Sequence, residues 1–323
     1  MAQLPETESP TIAAIRRHYE ASAEDWRRNH LGASVIGDDC TRKLWYGFRW
    51  ASAPGFDGRM LRLFERGKRE EAWIIEDLKA AGFRVEFVDT SGNQYRFSAL
   101  GGHFAGSVDG AILGVKEAPK TWHLLEVKTS NERRFRELKK SGVQIAQPKH
   151  YAQVQVYMHS LKLTRAFYVC VCKNDDHIYV ERVRHDPVAA DAFYVRAKSI
   201  IDAPEPLTKI SEDPSYFVCR FCEFKPHCQD GEVASLERNC RTCLSSTAEP
   251  GGSWSCAYHK ESLTPDKQRA GCDAHLFIPA LLPWDAIGGF DTGSARGVKY
   301  KRADGSTVQD SGRALEEMPS DDK

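Results

Sequence analysis

The residues best equipped for chemistry in this sequence are Asp109 and the triplet Glu126-Val127-Lys128. In an extended strand, residues two apart point to one face, so Glu126 and Lys128 project together while Val127 packs the other way. A neighbouring strand that brings Asp109 alongside puts two carboxylates and an amine on one sheet face. Leu124 and Leu125 precede Glu126, and Gly106 and Gly110 flank Asp109, the pattern of a tightly packed, partly buried sheet. An unpaired carboxylate there is costly, so a cation partner is expected. Carboxylate oxygens suit Mg²⁺ or Mn²⁺. A lysine beside them can position or deprotonate a water, or neutralise charge developing on a phosphate. Glu-x-Lys taken alone reads first as a salt-bridged strand face; the buried surroundings shift the balance to chemistry.

The ten cysteines form the second chemical signal. Without an export signal, clustered thiols read as metal ligands before disulfides. Cys219-x2-Cys222-x5-Cys228 offers three thiolates, and Cys40 is the candidate fourth. Cys240-x2-Cys243, followed by Cys256 and Cys272, has zinc-ribbon spacing, with four thiolates on Zn²⁺ as the first choice. His259 and His275 each lie three residues after a cysteine and are rival ligands. Such a module serves as a structural staple or as a knuckle that docks DNA or a partner. Cys170 and Cys172, two apart in an apolar strand, read as core packing.

GSVDG followed by LLEVKT resembles the PD-(D/E)XK nuclease motif, in the version of RecB-type nucleases and phage exonucleases. That family has a glycine followed four residues later by an acidic or histidine ligand on the preceding helix. Gly67 and Glu71 match, with Glu70 as an alternative about 100° away in helical phase. The family's Q-x-x-x-Y motif is matched by Gln153 and Tyr157, at i and i+4 on one helical face. Gln147 and Tyr151 have the same spacing, but Pro148 breaks the helix between them. His103 is expected to cap or pack rather than to bind metal. The resemblance spans roughly residues 30–230.

The resemblance implies phosphodiester hydrolysis in DNA by a stand-alone, phage-like recombination or processing exonuclease. Glu71, Asp109 and Glu126 would hold one or two Mg²⁺, helped by the Val127 carbonyl. Lys128 would orient the attacking water, and Gln153 and Tyr157 would order the scissile region or the lysine. One cysteine ahead of the core and three after it resemble the iron–sulfur-stapled nucleases, implying a [4Fe–4S] cluster on Cys40, Cys219, Cys222 and Cys228. Zinc suits the same four thiolates. A CRISPR-adaptation or repair nuclease acting on single strands, and a non-catalytic DNA-binding scaffold, are the alternatives. The implied partners are DNA and a single-strand annealing or recombination protein.

These groups need elements to position them. Gly58–Gly82 is an amphipathic helix by the recurrence of Leu61, Phe64, Ile75 and Leu78, with Gly82 as C-cap. FRVEFVD and QYRFSA alternate as strands joined at Ser91-Gly92-Asn93, and HFAGSVDGAILGV pairs with TWHLLEVKTS. A basic helix follows with Arg133, Arg134, Arg136, Lys139 and Lys140, placed to grip a phosphate backbone. Pro148 opens a long helix, two strands follow, and Pro187–Ala203 is helical. This order predicts an α/β fold: a restriction-endonuclease-like mixed sheet flanked by helices, with a small cysteine-rich metal-binding C-terminal module. The expected divisions are a core with an N-terminal helical region at 1–210 and a cysteine segment at 211–232 closing on Cys40. A zinc module at 233–282 follows, then a tail at 283–323 with a hairpin at Asp304-Gly305 and a mobile acidic end.

With 323 residues the chain has room for about two domains. Hydrophobic residues make up 41% and charged residues 28%, an ordinary globular composition that excludes wholesale disorder. No apolar run approaches the ~18–20 residues a membrane helix needs. The opening MAQLPETESP lacks a signal-peptide pattern, so a cytoplasmic location is expected, the host's if phage-encoded. Lys+Arg and Asp+Glu balance at 45 each, so any nucleic-acid surface must come from local sorting of charge. No Walker motif is present, so no motor is expected.

Overall fold

The computed structural model describes residues 8–293, 295–312 and 314–318. The polar opening at 1–7 and the expected acidic end from Ser320 lie outside them. Contacts divide the chain into two units, the first comprising Met1–Trp26, Gly55–Phe97 and Gly106–Asp191. The second comprises Arg27–Pro54, Ser98–Ala105 and Ala192–Lys323.

Unit 1 is built on five strands: β1 (Arg84–Glu86), β2 (Gly110–Leu113), β3 (His123–Ser130), β4 (Arg165–Cys172) and β5 (Ile178–Arg184). They lie side by side in that order. All pairings are antiparallel except β3 with β4, where Glu126 stands opposite Tyr168 and Lys128 opposite Cys170. A parallel pair requires a crossover. Here it consists of α3 (Glu132–Ala146) and α4 (Pro148–Leu161), preceded in the chain by α1 (Pro10–Ala21) and α2 (Gly58–Ala80). Ile74 and Ile75 of α2 pack on Leu125, Val127, Phe167, Val169 and Val171. By strand alternation, Glu126, Lys128, Tyr168 and Cys170 face away from that cluster. Asp57 caps α2 by accepting the Met60 N–H at 2.8 Å. Gly58 lets α1 approach α2: a Cβ there would lie 2.3 Å from the Arg16 carbonyl oxygen. The mixed α/β sheet expected from the sequence is present.

Several local expectations are corrected. In the expected N-terminal helical region, the first described helix ends at Ala21. The pair joined at Ser91-Gly92-Asn93 keeps a single bridge, Val88 to Gln94, while β1 pairs with β2. On α2, Phe64 is exposed and meets Phe56 edge-on, while the expected Ile75 is buried together with Ile74. The basic helix α3 is broken at Gly142, whose φ is 72°. The Glu181 carboxylate accepts the freed Val143 N–H at 2.8 Å and the Tyr179 hydroxyl at 2.6 Å.

Unit 2 contains the helix Thr41–Phe48, with Cys40 as its N-cap. Its C-terminal part carries β6 (Ser246–Ala248), β7 (Trp254–Cys256) and β8 (Glu261–Leu263), an antiparallel sheet with β7 central. A second sheet joins β9 (Asp285–Asp291), β10 (Arg296–Lys301), β11 (Thr307–Asp310) and β12 (Leu315–Glu317) in sequence order. The expected Asp304-Gly305 hairpin is β10–β11, with Tyr300 opposite Val308. Arg241 is buried with its guanidinium carbon 3.7 Å from the Trp50 ring centre and 4.6 Å from that of Trp254. It donates to the carbonyls of Phe48 at 2.9 Å and Asn29 at 3.0 Å.

Candidate active site and cysteine clusters

Within unit 1, β3 presents Glu126 and Lys128 on one face as an ion pair. Glu126 is wholly buried, and its Oε2 has no hydrogen-bond partner. Asp109, in the loop entering β2, reaches across to accept the Val127 N–H at 2.8 Å through Oδ2. Glu71 on α2 joins them electrostatically. Burial and then the Asp109 carboxylate raise its pKa to about 7. Burial raises Glu126 to about 8, against the pull of Lys128. Asp109 is also raised by burial. Burial pulls the Lys128 pKa down, but Glu126 and Asp109 outweigh it and hold the ammonium above its ordinary pKa. Three carboxylates that repel one another around one amine form a group short of positive charge. Glu70 instead pairs with Arg66 at 3.4 Å, so the helical phase separates the two neighbouring glutamates.

Gln153 and Tyr157 share a face of α4, with Gln153 Nε2 donating to Tyr157 Oη at 3.4 Å. Tyr157 is raised by burial and then by Glu126, which places it beside the carboxylates. Gly106 makes room for it, since a Cβ there would sit 2.5 Å from Tyr157 Oη. Gln147 lies between α3 and α4 with φ −138°, so it shares no helical face with Tyr151. His103 is buried in unit 2 with Nε2 at 2.9 Å from the Glu249 carbonyl.

A cavity of about 270 Å³ opens beside the carboxylates, lined by Glu71, Lys128, Ser130, Arg134, His150 and Tyr168, among others. Of the five basic residues on α3, all exposed, Arg134 reaches this cavity, whereas Arg136 pairs with Glu132. Three lining residues escaped the sequence reading. His150 Nδ1 lies 2.7 Å from Tyr168 Oη, and Ser130 Oγ accepts the Cys170 thiol at 3.4 Å. Burial, then Lys128, lowers His150 to about 3, so its imidazole is neutral. Its position three residues before Gln153, on the same helical face, was the available signal. Cys170, expected simply to pack, is buried and also lines the cavity.

In unit 2, Cys40, Cys219, Cys222 and Cys228 line one narrow cavity. Cys40 Sγ accepts the Lys43 N–H at 3.4 Å, and Cys219 Sγ accepts Gln229 Nε2 at 3.4 Å. Burial pushes Cys222 up to about 11, opposed by the Phe224 N–H. Burial also raises Cys228, opposed by Arg42 and by the Tyr46 hydroxyl. Two thiols of this set, Cys40 and Cys219, thus receive a hydrogen-bond donor. Cys240, Cys243, Cys256 and Cys272 line a separate cavity of about 180 Å³, with His259 and His275. Burial, then the other three cysteines, raises Cys240 to about 12. Among the described residues, no three or more His, Cys, Asp and Glu side chains stand in a metal-holding array. No described helix is long and apolar enough to cross a membrane.

No family model matches the chain, and no curated protein matches it. Among solved structures, it is similar to LHK-Exo in complex with dAMP at 17% identity and TM-score 0.41, over 55% of this chain and 90% of that one. It is also similar to the alkaline exonuclease LHK-Exo from Laribacter hongkongensis, at 16% identity and TM-score 0.39, over 57% and 90% of the two chains. SSO0001 aligns at 13% identity and TM-score 0.37, over 68% of this chain and 96% of that one. At these values the likeness is loose.

Proposed function

We propose that unit 1 carries the active site of a metal-dependent deoxyribonuclease with a restriction-endonuclease-like core, acting as a phage-like processing exonuclease. The observation that carries this reading is the wholly buried Glu126, whose Oε2 lacks a partner, amid Glu71, Asp109 and Lys128. Hard carboxylate oxygens in want of positive charge fit Mg²⁺ or Mn²⁺, held by Glu71, Asp109 and Glu126 with the Val127 carbonyl. Such an ion polarises a phosphoryl oxygen and makes bound water a stronger nucleophile.

The protein's own residues do the rest. Asp109 is fixed by the Val127 N–H, so its free oxygen is aimed rather than mobile. Lys128, kept charged by Glu126, orients the attacking water and faces the developing phosphate charge. The water oxygen bonds to phosphorus as the phosphorus–sugar oxygen bond breaks, and the released proton finally rests on the departing sugar oxygen. Tyr157 and Gln153 keep the lysine in register, and Arg134 holds the strand at the cavity mouth. In unit 2, the thiols of Cys40, Cys219, Cys222 and Cys228, gathered on one cavity with donors at Cys40 and Cys219, fit a [4Fe–4S] cluster.

The test is digestion of end-labelled linear and circular DNA with Mg²⁺ or EDTA. Wild type should degrade the linear form with Mg²⁺ alone. Asp109→Ala, Glu126→Ala and Lys128→Ala should each lose cleavage while remaining folded, and Lys128→Ala should keep Mg²⁺ binding. Full activity in any of the three would sink the assignment.

A further inference from the structure

We propose that Cys240, Cys243, Cys256 and Cys272 form a four-thiolate zinc site that seats Arg241 in the Trp50–Trp254 box. This site is independent of the nuclease reading. The four cysteines come from separate parts of the fold: a short turn, strand β7 and the loop after the helix Pro265–Ala270. As they stand their thiols form no ready metal-holding array, but all four line one cavity, where a bound ion would draw them together. Cys240 and Cys243 bracket a 3-10 turn held by Asn239, whose side chain accepts the N–H groups of Arg241 and Thr242. Cys243 is anchored by its bridge to Phe277, and Cys256 by its pairing with Ser246. Cys256 Sγ also accepts the His259 N–H at 3.4 Å.

Of the two rival ligands, His275 falls away on geometry. His275 is buried and engaged at both ring nitrogens, Nδ1 at 3.1 Å from Arg238 and Nε2 at 3.0 Å from Thr242 Oγ1. His259 is exposed, as Cys272 is, and lines the same cavity, so the His259→Ala variant decides between the two. Four thiolates in a tetrahedral set are the donors that zinc takes in structural sites.

The turn between the paired cysteines is what gives the metal leverage. Arg241 lies inside it, wholly buried, with no carboxylate among its hydrogen-bond acceptors, which are carbonyls and Gln268 Oε1 at 2.9 Å. A buried cation satisfied by aromatic faces and carbonyls stays only if its backbone is held. Fixing Cys240 and Cys243 on one ion holds it. Loss of the ion frees the turn and lets Arg241 leave Trp50 and Trp254.

The full-length protein, purified without added metal, is analysed for zinc and iron by mass spectrometry. Relative to wild type, Cys256→Ser/Cys272→Ser should lose about one zinc per chain with iron unchanged, and His275→Ala and His259→Ala should keep it. Cobalt exchange should give the sulfur-to-metal charge-transfer band of a tetrahedral thiolate site. In case the double variant misfolds, wild type is treated with a chelator, and zinc release should proceed together with a change in tryptophan emission. Zinc retained by the double variant, iron lost in its place, zinc lost by His259→Ala, or zinc leaving without any emission change would each overturn the proposal.

Discussion

Gly106→Ala probes how tightly the fold holds Tyr157. The added Cβ would meet Tyr157 Oη at 2.5 Å, Tyr157 Cε1 at 3.1 Å and Phe97 Cε1 at 3.2 Å. Comfortable carbon contacts lie at about 3.5–4.0 Å, so the hydroxyl is the main offender. Overpacking of this kind costs about 1–3 kcal/mol. In Tyr157→Phe the offending oxygen is gone, along with a long hydrogen bond from Gln153 at 3.4 Å. Gly106→Ala should then cost less by on the order of 1 kcal/mol, a coupling typical of touching residues. Denaturant unfolding of the four proteins of the cycle, followed by circular dichroism, measures it. Cleavage gives a second readout: Gly106→Ala should be at least as slow as Tyr157→Phe, and the double variant no slower than Tyr157→Phe. Additive stabilities within about 0.3 kcal/mol would refute the reasoning, because they would mean that Gly106 and Tyr157 do not touch.

His150 is held near pKa 3 by burial, whereas an unfolded histidine titrates near 6.5, so below that pH only the unfolded chain takes the proton. Stability is therefore intact above about 6.5 and falls toward 3. Wild type should lose about 1 kcal/mol per pH unit more than His150→Gln between pH 6.5 and 5, and parallel pH slopes would dismiss the idea. Cys40→Ser should bleach the brown colour of a [4Fe–4S] protein and lower its melting point together. Full iron with unchanged melting would make Cys40 a plain capping residue. Arg134→Ala should reduce the slope of log affinity for DNA against log salt by about 1, while Arg136→Ala, already paired with Glu132, should change it less. Equal slopes for the two variants would place the strand elsewhere.

Strand alternation was enough to put Glu126 and Lys128 on one face, and helical phase was enough to separate Glu71 from Glu70. Both are local periodicities that a sequence displays directly. The i, i+4 relation of Gln153 and Tyr157 was legible for the same reason. What stayed hidden depends on partners distant in sequence. The strand Arg84–Glu86 was paired with its neighbour across Ser91-Gly92-Asn93, yet its hydrogen bonds go to Gly110–Leu113. A turn signal shows where a chain reverses, not which edge it then finds. His150 and Tyr168 meet because a crossover helix lies over β4, a relation no short motif encodes. The break at Gly142 was equally silent, because the carboxylate that stabilises it comes from Glu181 on β5.

Unit 1 interrupts the sequence of unit 2, and this imposes a timetable on synthesis. The five strands and every carboxylate of the candidate site have been translated once residue 191 is made. Cys40 has by then long been waiting for Cys219, the first of its distant companions, 179 residues after it (219 − 40). At elongation rates of about 5–20 residues per second, that interval is roughly 10–40 s. The sheet can close during it, while Cys40 remains unmatched until Cys219 is made. Any metal taken by either cysteine set would therefore reach a chain whose five-stranded unit is already made.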